Sequence, residues 1–202
     1  MDSRQIWRIR QADPGELEAL VALRRKMLED VGFDEPAELD RTDAAVRGYF
    51  AEHMPTGAFR VWVAVVDEAA QRGIVDVADS ADEHSGISSR GADDKRRAMP
   101  IASIGLVIHS TPPSPHNLVG QVGYIMNLVT LPPWRRRGIA HALLEHVLGV
   151  LREEGIPVAS LHASAEGRTL YEDLGFKARD TLPEMLLRLH PSSSTNSIPS
   201  GK

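Results

Sequence analysis

The segment that most constrains the fold is residues 123–140, GYIMNLVTLPPWRRRGIA, where an apolar run meets two consecutive prolines and then a helical pattern. Proline has no N–H to give to a sheet, so the apolar run predicts a strand that ends at Pro132 and Pro133. Apolar residues then recur at the helical period, namely Ile139, Leu143, Val147 and Val150, with Ala140, Leu144 and Leu148 beside them. The segment therefore predicts a strand, a tight turn and the N-terminus of a helix.

Three arginines, Arg135, Arg136 and Arg137, stand where this helix is predicted to begin. The first turn of a helix already carries the positive end of the helix dipole and unpaired N–H groups, so added positive charge is unfavourable there. A bound polyanion removes that conflict, and the small residues Gly138 and Ala140 would let a ligand such as a pyrophosphate approach the backbone. Taken alone, a solvated cluster of arginines explains the same residues equally well.

Residues 135–140, RRRGIA, resemble the acetyl-CoA-binding motif of the GNAT superfamily of N-acetyltransferases, Arg/Gln-x-x-Gly-x-Gly/Ala, at each fixed position. A second segment, residues 170–176, LYEDLGF, resembles the closing motif of the same superfamily and follows at a distance suited to a helix, a strand and another helix. The resemblance implies the GNAT fold. This is an α/β fold of the α+β type, with a mostly antiparallel mixed sheet that splays between strands four and five and is flanked by about four helices.

Length and composition predict one domain, because 202 residues with 42% hydrophobic content can bury one sizeable core. We assign residues 1–190 to a single acetyltransferase domain. Residues 67–98 hold eight acidic and five basic side chains and almost no large apolar ones, so they predict a mobile insertion. Residues 191–202, PSSSTNSIPSGK, have the composition of a disordered tail.

The other elements are predicted from period and from helix start and stop signals. Asp13 and Pro14 predict the start of a first helix that ends near Val31, and a second helix is predicted from Thr42 or Asp43 to His53. Strands are predicted at residues 6–10, 59–66, 99–110 and 158–162, a short helix at 166–174, and closing strands at 176–179 and 185–189.

Charge and composition also bound the partners and the location. The net charge is −5, and the insertion contributes −3 of it, so the remainder lacks the basic face of a nucleic-acid binder. No apolar run approaches the ~18 residues of a membrane helix, and residues 1–14 lack the apolar region that a signal peptide would have. The chain has no cysteine, which fits a reducing compartment, and we expect a cytoplasmic monomer or homodimer. His141 and His146 do not share a helix face, so no metal site is predicted.

The resemblance implies where acetyl-CoA, the cosubstrate, binds. Main-chain groups of strand four would hold the pantetheine arm, and the turn and helix start would hold the pyrophosphate. Ser164 stands where many members of the superfamily carry an asparagine that contacts the cofactor, and Arg168 is close enough in sequence to reach a phosphate. The predicted cofactor-binding residues are Leu128, Val129, Thr130, Arg135, Arg136, Arg137, Gly138, Ile139, Ala140, Ser164 and Arg168. Tyr171 matches the tyrosine that protonates the departing thiolate, and it is the predicted catalytic residue.

The predicted function is N-acetyl transfer from acetyl-CoA to a primary amine by direct attack in a ternary complex, since a chain without cysteine cannot form a thiol acyl-enzyme. The alternative is a non-catalytic acyl-CoA-binding sensor or regulatory module. The acceptor stays open between protein amines, polyamines, antibiotics and other small amines. Glu29 and Asp30 are weak candidates for acceptor contacts at the border of the first helix. His109, Asn127 and His162 are expected near the splayed strands, and none is singled out as the general base.

Overall fold

The computed structural model describes residues 6–66 and 98–178. In chain order the described elements are β1 (Trp7–Gln11), α1 (Leu17–Asp30), α2 (Pro36–His53), β2 (Arg60–Val66), β3 (Met99–Ser110), β4 (Gln121–Thr130), α3 (Ile139–Glu153), β5 (Val158–Ser160) and α4 (Arg168–Asp173). Short 3-10 turns at Pro14–Glu16 and Pro132–Trp134 precede α1 and α3.

The five strands form one sheet in the order β1-β2-β3-β4-β5. The first four strands are antiparallel neighbours, whereas β5 lies parallel to β4. The pairing of β4 with β5 involves only three residues of each strand, from Val122 opposite Val158 to Tyr124 opposite Ser160. Residues 125–130 of β4 therefore have no strand partner on the β5 side within the described part of the chain. This opening, the β4–β5 gap, confirms the predicted mixed sheet and its splay.

The two faces of the sheet are covered by different helices. Strand β2, which lies between β1 and β3, is buried on both faces, and alternate residues point to opposite sides, which is why its sequence RVWVAVV is an almost continuous apolar run. Trp62 and Ala64 pack with Leu143, Leu144 and Val147 of α3. On the other face Val61, Val63 and Phe59 pack with Leu20 and Val21 of α1 and Phe50 of α2. The sheet thus separates an α3 side from an α1–α2 side.

The first helix starts with the predicted cap. The Asp13 carboxylate accepts a hydrogen bond from the Gly15 N–H at 2.7 Å, and the Glu16 side chain accepts one from the Asp13 N–H at 2.8 Å, which completes a capping box. The first three residues form a 3-10 turn, so α1 itself begins at Leu17.

Several element bounds differ from the prediction. Helix α2 begins at Pro36 and not at Thr42 or Asp43, with Pro36 in the first turn, where its missing N–H costs nothing. Strand β5 ends at Ser160, two residues earlier than predicted, and α4 covers only Arg168–Asp173. Helix α3 begins at Ile139, so the three arginines precede the helix and do not form its first turn.

The predicted insertion at 67–98 lies outside the described residues except for Ala98, which is buried on the α1–α2 side. The predicted strand at 185–189, the end of the one at 176–179 and the tail at 191–202 also lie outside them, and residues 176–178 are described without strand structure. No helix in the described part of the chain is long and apolar enough to cross a membrane.

Candidate active site

A bulge distorts β4 where the β4–β5 gap opens. Ser103 of β3 lies opposite Val129, whereas Gly105 lies opposite Met126, so β4 has one extra residue between these pairs. Asn127, inside this stretch, has a left-handed backbone with φ of 55°. A bulge bends its strand and re-aims a side chain, and such bulges are frequent beside active sites. The backbone of residues 125–130 therefore lies along the gap, where no described strand pairs with it on the β5 side.

The chain then enters the turn formed by residues 135–138, the arginine turn. Trp134, only 4% exposed, anchors its start in the core. Arg136 and Gly138 both have left-handed backbones, with φ of 62° and 74°. Residues in such sparsely populated conformations often cluster at ligand-binding loops.

The arginine turn leads into a helix that has no side-chain cap. Gly138 occupies the N-cap position, and the first helical hydrogen bond runs from the Ala142 N–H to the Gly138 carbonyl at 3.0 Å. The N–H groups before Ala142 are thus available to an anion. A Cβ placed on Gly138 would meet no described atom within 4 Å, so the space above this helix start is open. The Thr130 hydroxyl, at the end of β4, is buried without a hydrogen-bond partner in the described residues. The open, uncapped helix start and the buried Thr130 hydroxyl fit a bound diphosphate and pantetheine.

Two of the three guanidinium groups hold the arginine turn in place. Arg135 donates from Nε to the Thr130 carbonyl at 3.0 Å and forms an ion pair with Asp30 at the end of α1. The Arg137 guanidinium lies over the Trp134 ring, 5.1 Å from its centroid. Burial acts to raise the pKa of Asp30, but hydrogen bonds and charges from Lys26 and Arg135 hold it below its usual range. The contacts of Arg135 and Arg137 are with the protein itself, and Arg136 is exposed.

Two of the predicted site residues, Ser164 and Tyr171, come together at Gly167. The Ser164 hydroxyl accepts a hydrogen bond from the Gly167 N–H at 3.1 Å, and a Cβ on Gly167 would lie 2.9 Å from the Tyr171 ring. The Tyr171 ring also packs edge-on against Phe176, with centroids 6.0 Å apart. Burial raises the pKa of Tyr171, so its phenol stays protonated at neutral pH. Arg168 is exposed at the start of α4.

Tyr124 and His162 contact each other at the point where β4 and β5 separate. The sequence did not predict this contact. The Tyr124 hydroxyl lies 2.7 Å from Nδ1 of His162, and the two rings meet at an interplanar angle of 76°. His162 was predicted to lie near the gap, and the structure places it there. Tyr124 was not predicted, because its role depends on β5 ending at Ser160 so that the chain turns back over β4.

The α1–α2 side of the sheet contains a cavity of about 900 Å³, the α1–α2 cavity. Most of its wall is apolar, and the residues that line it are Arg24, Leu28, Phe33, Glu35, Glu38, Leu39, Arg41, Thr42, Ala45, Val46, Tyr49, Phe50, Met126 and Asn127. Its floor therefore includes the β4 bulge. Glu29 and Asp30, the predicted acceptor contacts, do not line it; they form ion pairs with neighbouring cations. No group of three metal-ligating side chains occurs in the described residues.

Several acetyltransferases of known structure share the fold of this chain. A predicted acetyltransferase from Clostridium acetobutylicum, solved with acetyl-CoA, is 24% identical, with a TM-score of 0.67 over 91% of this chain and 99% of that one. A GCN5-related N-acetyltransferase from Ralstonia eutropha JMP134 is also 24% identical, with a TM-score of 0.66 over 89% and 98%. Glucosamine-6-phosphate N-acetyltransferase from Arabidopsis thaliana is 15% identical, with a TM-score of 0.54 over 90% and 99%.

These likenesses establish the fold. The model of the acetyltransferase (GNAT) family matches residues 79–176, which include β3, β4, the arginine turn and Tyr171. Over residues 79–176 the chain is therefore similar to the GNAT acetyltransferase family. No curated protein is significantly similar to it in sequence.

Proposed function

We propose that the protein transfers the acetyl group of acetyl-CoA to a primary amine by direct attack in a ternary complex. The observation that carries this proposal is that the backbone of β4 along the β4–β5 gap continues into the uncapped start of α3. Residues 125–130 have no strand partner on the β5 side among the described residues, and they lead within a few residues to the uncapped helix start at Gly138. A pantetheine arm needs hydrogen-bonding backbone, and a diphosphate needs unpaired N–H groups.

Bound acetyl-CoA supplies an activated acetyl thioester. The main chain of Leu128, Val129 and Thr130 holds the pantetheine arm, and an N–H of this stretch stabilises negative charge that develops on the thioester oxygen. The N–H groups of Gly138, Ile139 and Ala140 bind the pyrophosphate, with the exposed Arg136 adding positive charge beside them. Arg135 and Arg137 position the turn through Thr130, Asp30 and Trp134.

The amine approaches from the α1–α2 cavity, whose floor is the β4 bulge. Holding both reactants in one site makes the attack effectively unimolecular. The amine nitrogen forms the new bond to the acetyl carbon and gives its proton to solvent, while the carbon–sulfur bond breaks. Tyr171 donates its phenolic proton to the departing thiolate and regains one from solvent. The raised pKa of Tyr171 keeps that proton available at neutral pH.

The test is to incubate the wild-type protein with acetyl-CoA and pools of small amines, polyamines and peptides. We expect thiol release matched by an equal amount of acetylated amine, identified by mass spectrometry. Initial velocities should give intersecting double-reciprocal lines, as a ternary complex requires. Tight binding of acetyl-CoA without any acetylated product would contradict the proposal and favour the acyl-CoA-binding sensor.

A further inference from the structure

Arg24 is a partly buried cation for which the described residues provide no ion pair. It lies on α1, and its guanidinium lines the α1–α2 cavity. Its Nε atom is buried and has no hydrogen-bond partner in the described residues, and one terminal nitrogen donates to the Asn127 side-chain oxygen. Burial lowers the pKa of Arg24, and no charged group among residues 6–66 and 98–178 offsets this effect. An amide oxygen is its hydrogen-bonding partner, where a carboxylate would be the usual one.

Neighbouring arginines show what this site lacks. Arg25, the next residue on α1, forms ion pairs with Asp40 at 2.8 Å and Asp43 at 2.6 Å. Arg47 on α2 pairs with Glu18 at 2.6 Å. These pairs lie at or near the surface, where water also solvates the charged groups. A partly buried cation has lost part of its hydration, and an anion placed beside it would offset that loss.

The residues around Arg24 limit the kind of molecule that can carry this anion. Leu28, Phe50 and Met126 form apolar wall near it, and the acidic groups of the cavity come from Glu35 and Glu38 at the start of α2. A cavity of about 900 Å³ accommodates a whole small molecule. Its occupant should therefore combine an apolar body with one acidic group.

We propose that the acceptor is an apolar amine that also carries an acidic group, a carboxylate or a phosphonate-type oxyanion, and that Arg24 binds this group. The inference rests on the proposed function and names its acceptor class. The planar guanidinium fork matches such oxyanions geometrically. Asn127 holds the guanidinium at the β4 bulge, directly before Leu128, whose backbone is expected to hold the pantetheine arm. The amine must then lie close to the acidic group, as it does in an amino acid.

A different reading of Arg24 is that it only braces the bulge through Asn127. The two interpretations predict different substrate specificities, because an arginine that only supports the bulge would not select acids over their amides. The test compares matched amines on the wild-type enzyme: phenylalanine against phenylalaninamide, leucine against leucinamide, and the phosphonate analogue of leucine. The assay is kcat/KM for acetylation, measured by thiol release and checked by product mass.

We expect the acids to be preferred over their amides by at least about tenfold, because the amide leaves the buried cation unpaired. The amides carry the less basic amines and so hold more free base at neutral pH, which works against the expected preference. The phosphonate analogue of leucine distinguishes a site that is specific for carboxylates from one that accepts either oxyanion. Arg24→Met should abolish the preference, Arg24→Lys should keep part of it, and the exposed Arg152→Met on α3 should leave it intact.

The inference is overturned if the wild-type enzyme acetylates the amides as well as the acids, or if Arg24→Met retains the preference. The wild-type comparison decides alone if Arg24→Met does not fold. Acetylation of other amines with no acetylation of either member of the pairs would also overturn it while leaving the proposed function standing. Absence of any acetylated amine would overturn both.

Discussion

Replacing Gly138 with leucine separates ligand exclusion from backbone strain, because the chain contains a matched glycine at the other end of the same helix. Gly138 precedes α3 with φ of 74°, and Gly155 follows it with φ of 71°. A Cβ would meet no described atom within 4 Å at either site. Each leucine should therefore cost about 1–2 kcal/mol of stability from the left-handed backbone alone. The two sites lie roughly 22 Å apart along a helix of this length.

Only Gly138→Leu also fills the space in which we place the pyrophosphate. We expect it to weaken acetyl-CoA binding by at least tenfold, about 1.4 kcal/mol, in isothermal titration calorimetry. Gly155→Leu should lower the melting temperature about as much as Gly138→Leu does, and it should leave the affinity for acetyl-CoA unchanged. Wild-type affinity in Gly138→Leu, or an equal loss of affinity in Gly155→Leu, would refute the assignment of the arginine turn to the pyrophosphate.

Three further substitutions test the chemistry and the packing. Tyr171→Phe keeps the ring and removes the proton, so the single-turnover rate should fall by about 10² to 10⁴ while acetyl-CoA affinity stays constant. A hydrogen bond from Arg60 at 2.9 Å holds the pKa of Glu154 below its usual range, so Glu154→Gln should cost at most about 1 kcal/mol in urea unfolding at pH 7. Gly105→Ala would place a Cβ 2.6 Å from the Phe59 ring and should destabilise by about 1–3 kcal/mol.

Each of these predictions has a result that contradicts it. A full single-turnover rate in Tyr171→Phe would remove Tyr171 from the mechanism. The stabilisation from Glu154 is present above its unfolded pKa of about 4.3 and is lost as pH falls through the lower folded value. If the destabilisation caused by Glu154→Gln increased as the pH falls, this prediction would be contradicted. Gly48→Ala on α2, where a Cβ meets nothing within 4 Å, is the control for Gly105→Ala and should not destabilise.

The strand, turn and helix around the arginine turn were predictable because their signals are local. Pro132 and Pro133 end β4 whatever the tertiary context, and the apolar period of α3 is strong enough to identify its buried face. The first turn of α2 was missed because Pro36 and Ala37 are exposed and Leu39 is its single large apolar residue, so the turn carries no apolar period. Its start at Pro36 matters, since Glu35 and Glu38 line the α1–α2 cavity.

The features that carry the proposals depend on contacts between distant segments. Asn127 takes a positive φ within an otherwise ordinary apolar strand, so no turn signal marks the bulge. Arg24 lies in the run Arg24-Arg25-Lys26, which reads as a solvated charged face. Only the packing of α2 and β4 against α1 sets Arg24 beside Asn127 and pairs Arg25 with Asp40 and Asp43. Periodicity cannot distinguish these two adjacent arginines.

Amide hydrogen exchange with and without saturating acetyl-CoA tests the central claim most directly, because it reports on the backbone groups assigned to the cofactor. We expect acetyl-CoA to protect amides in residues 125–130 and 138–141, the free edge of β4 and the uncapped start of α3. Binding of acetyl-CoA with unchanged exchange in both segments, or with protection confined to α1 and α2, would contradict the account.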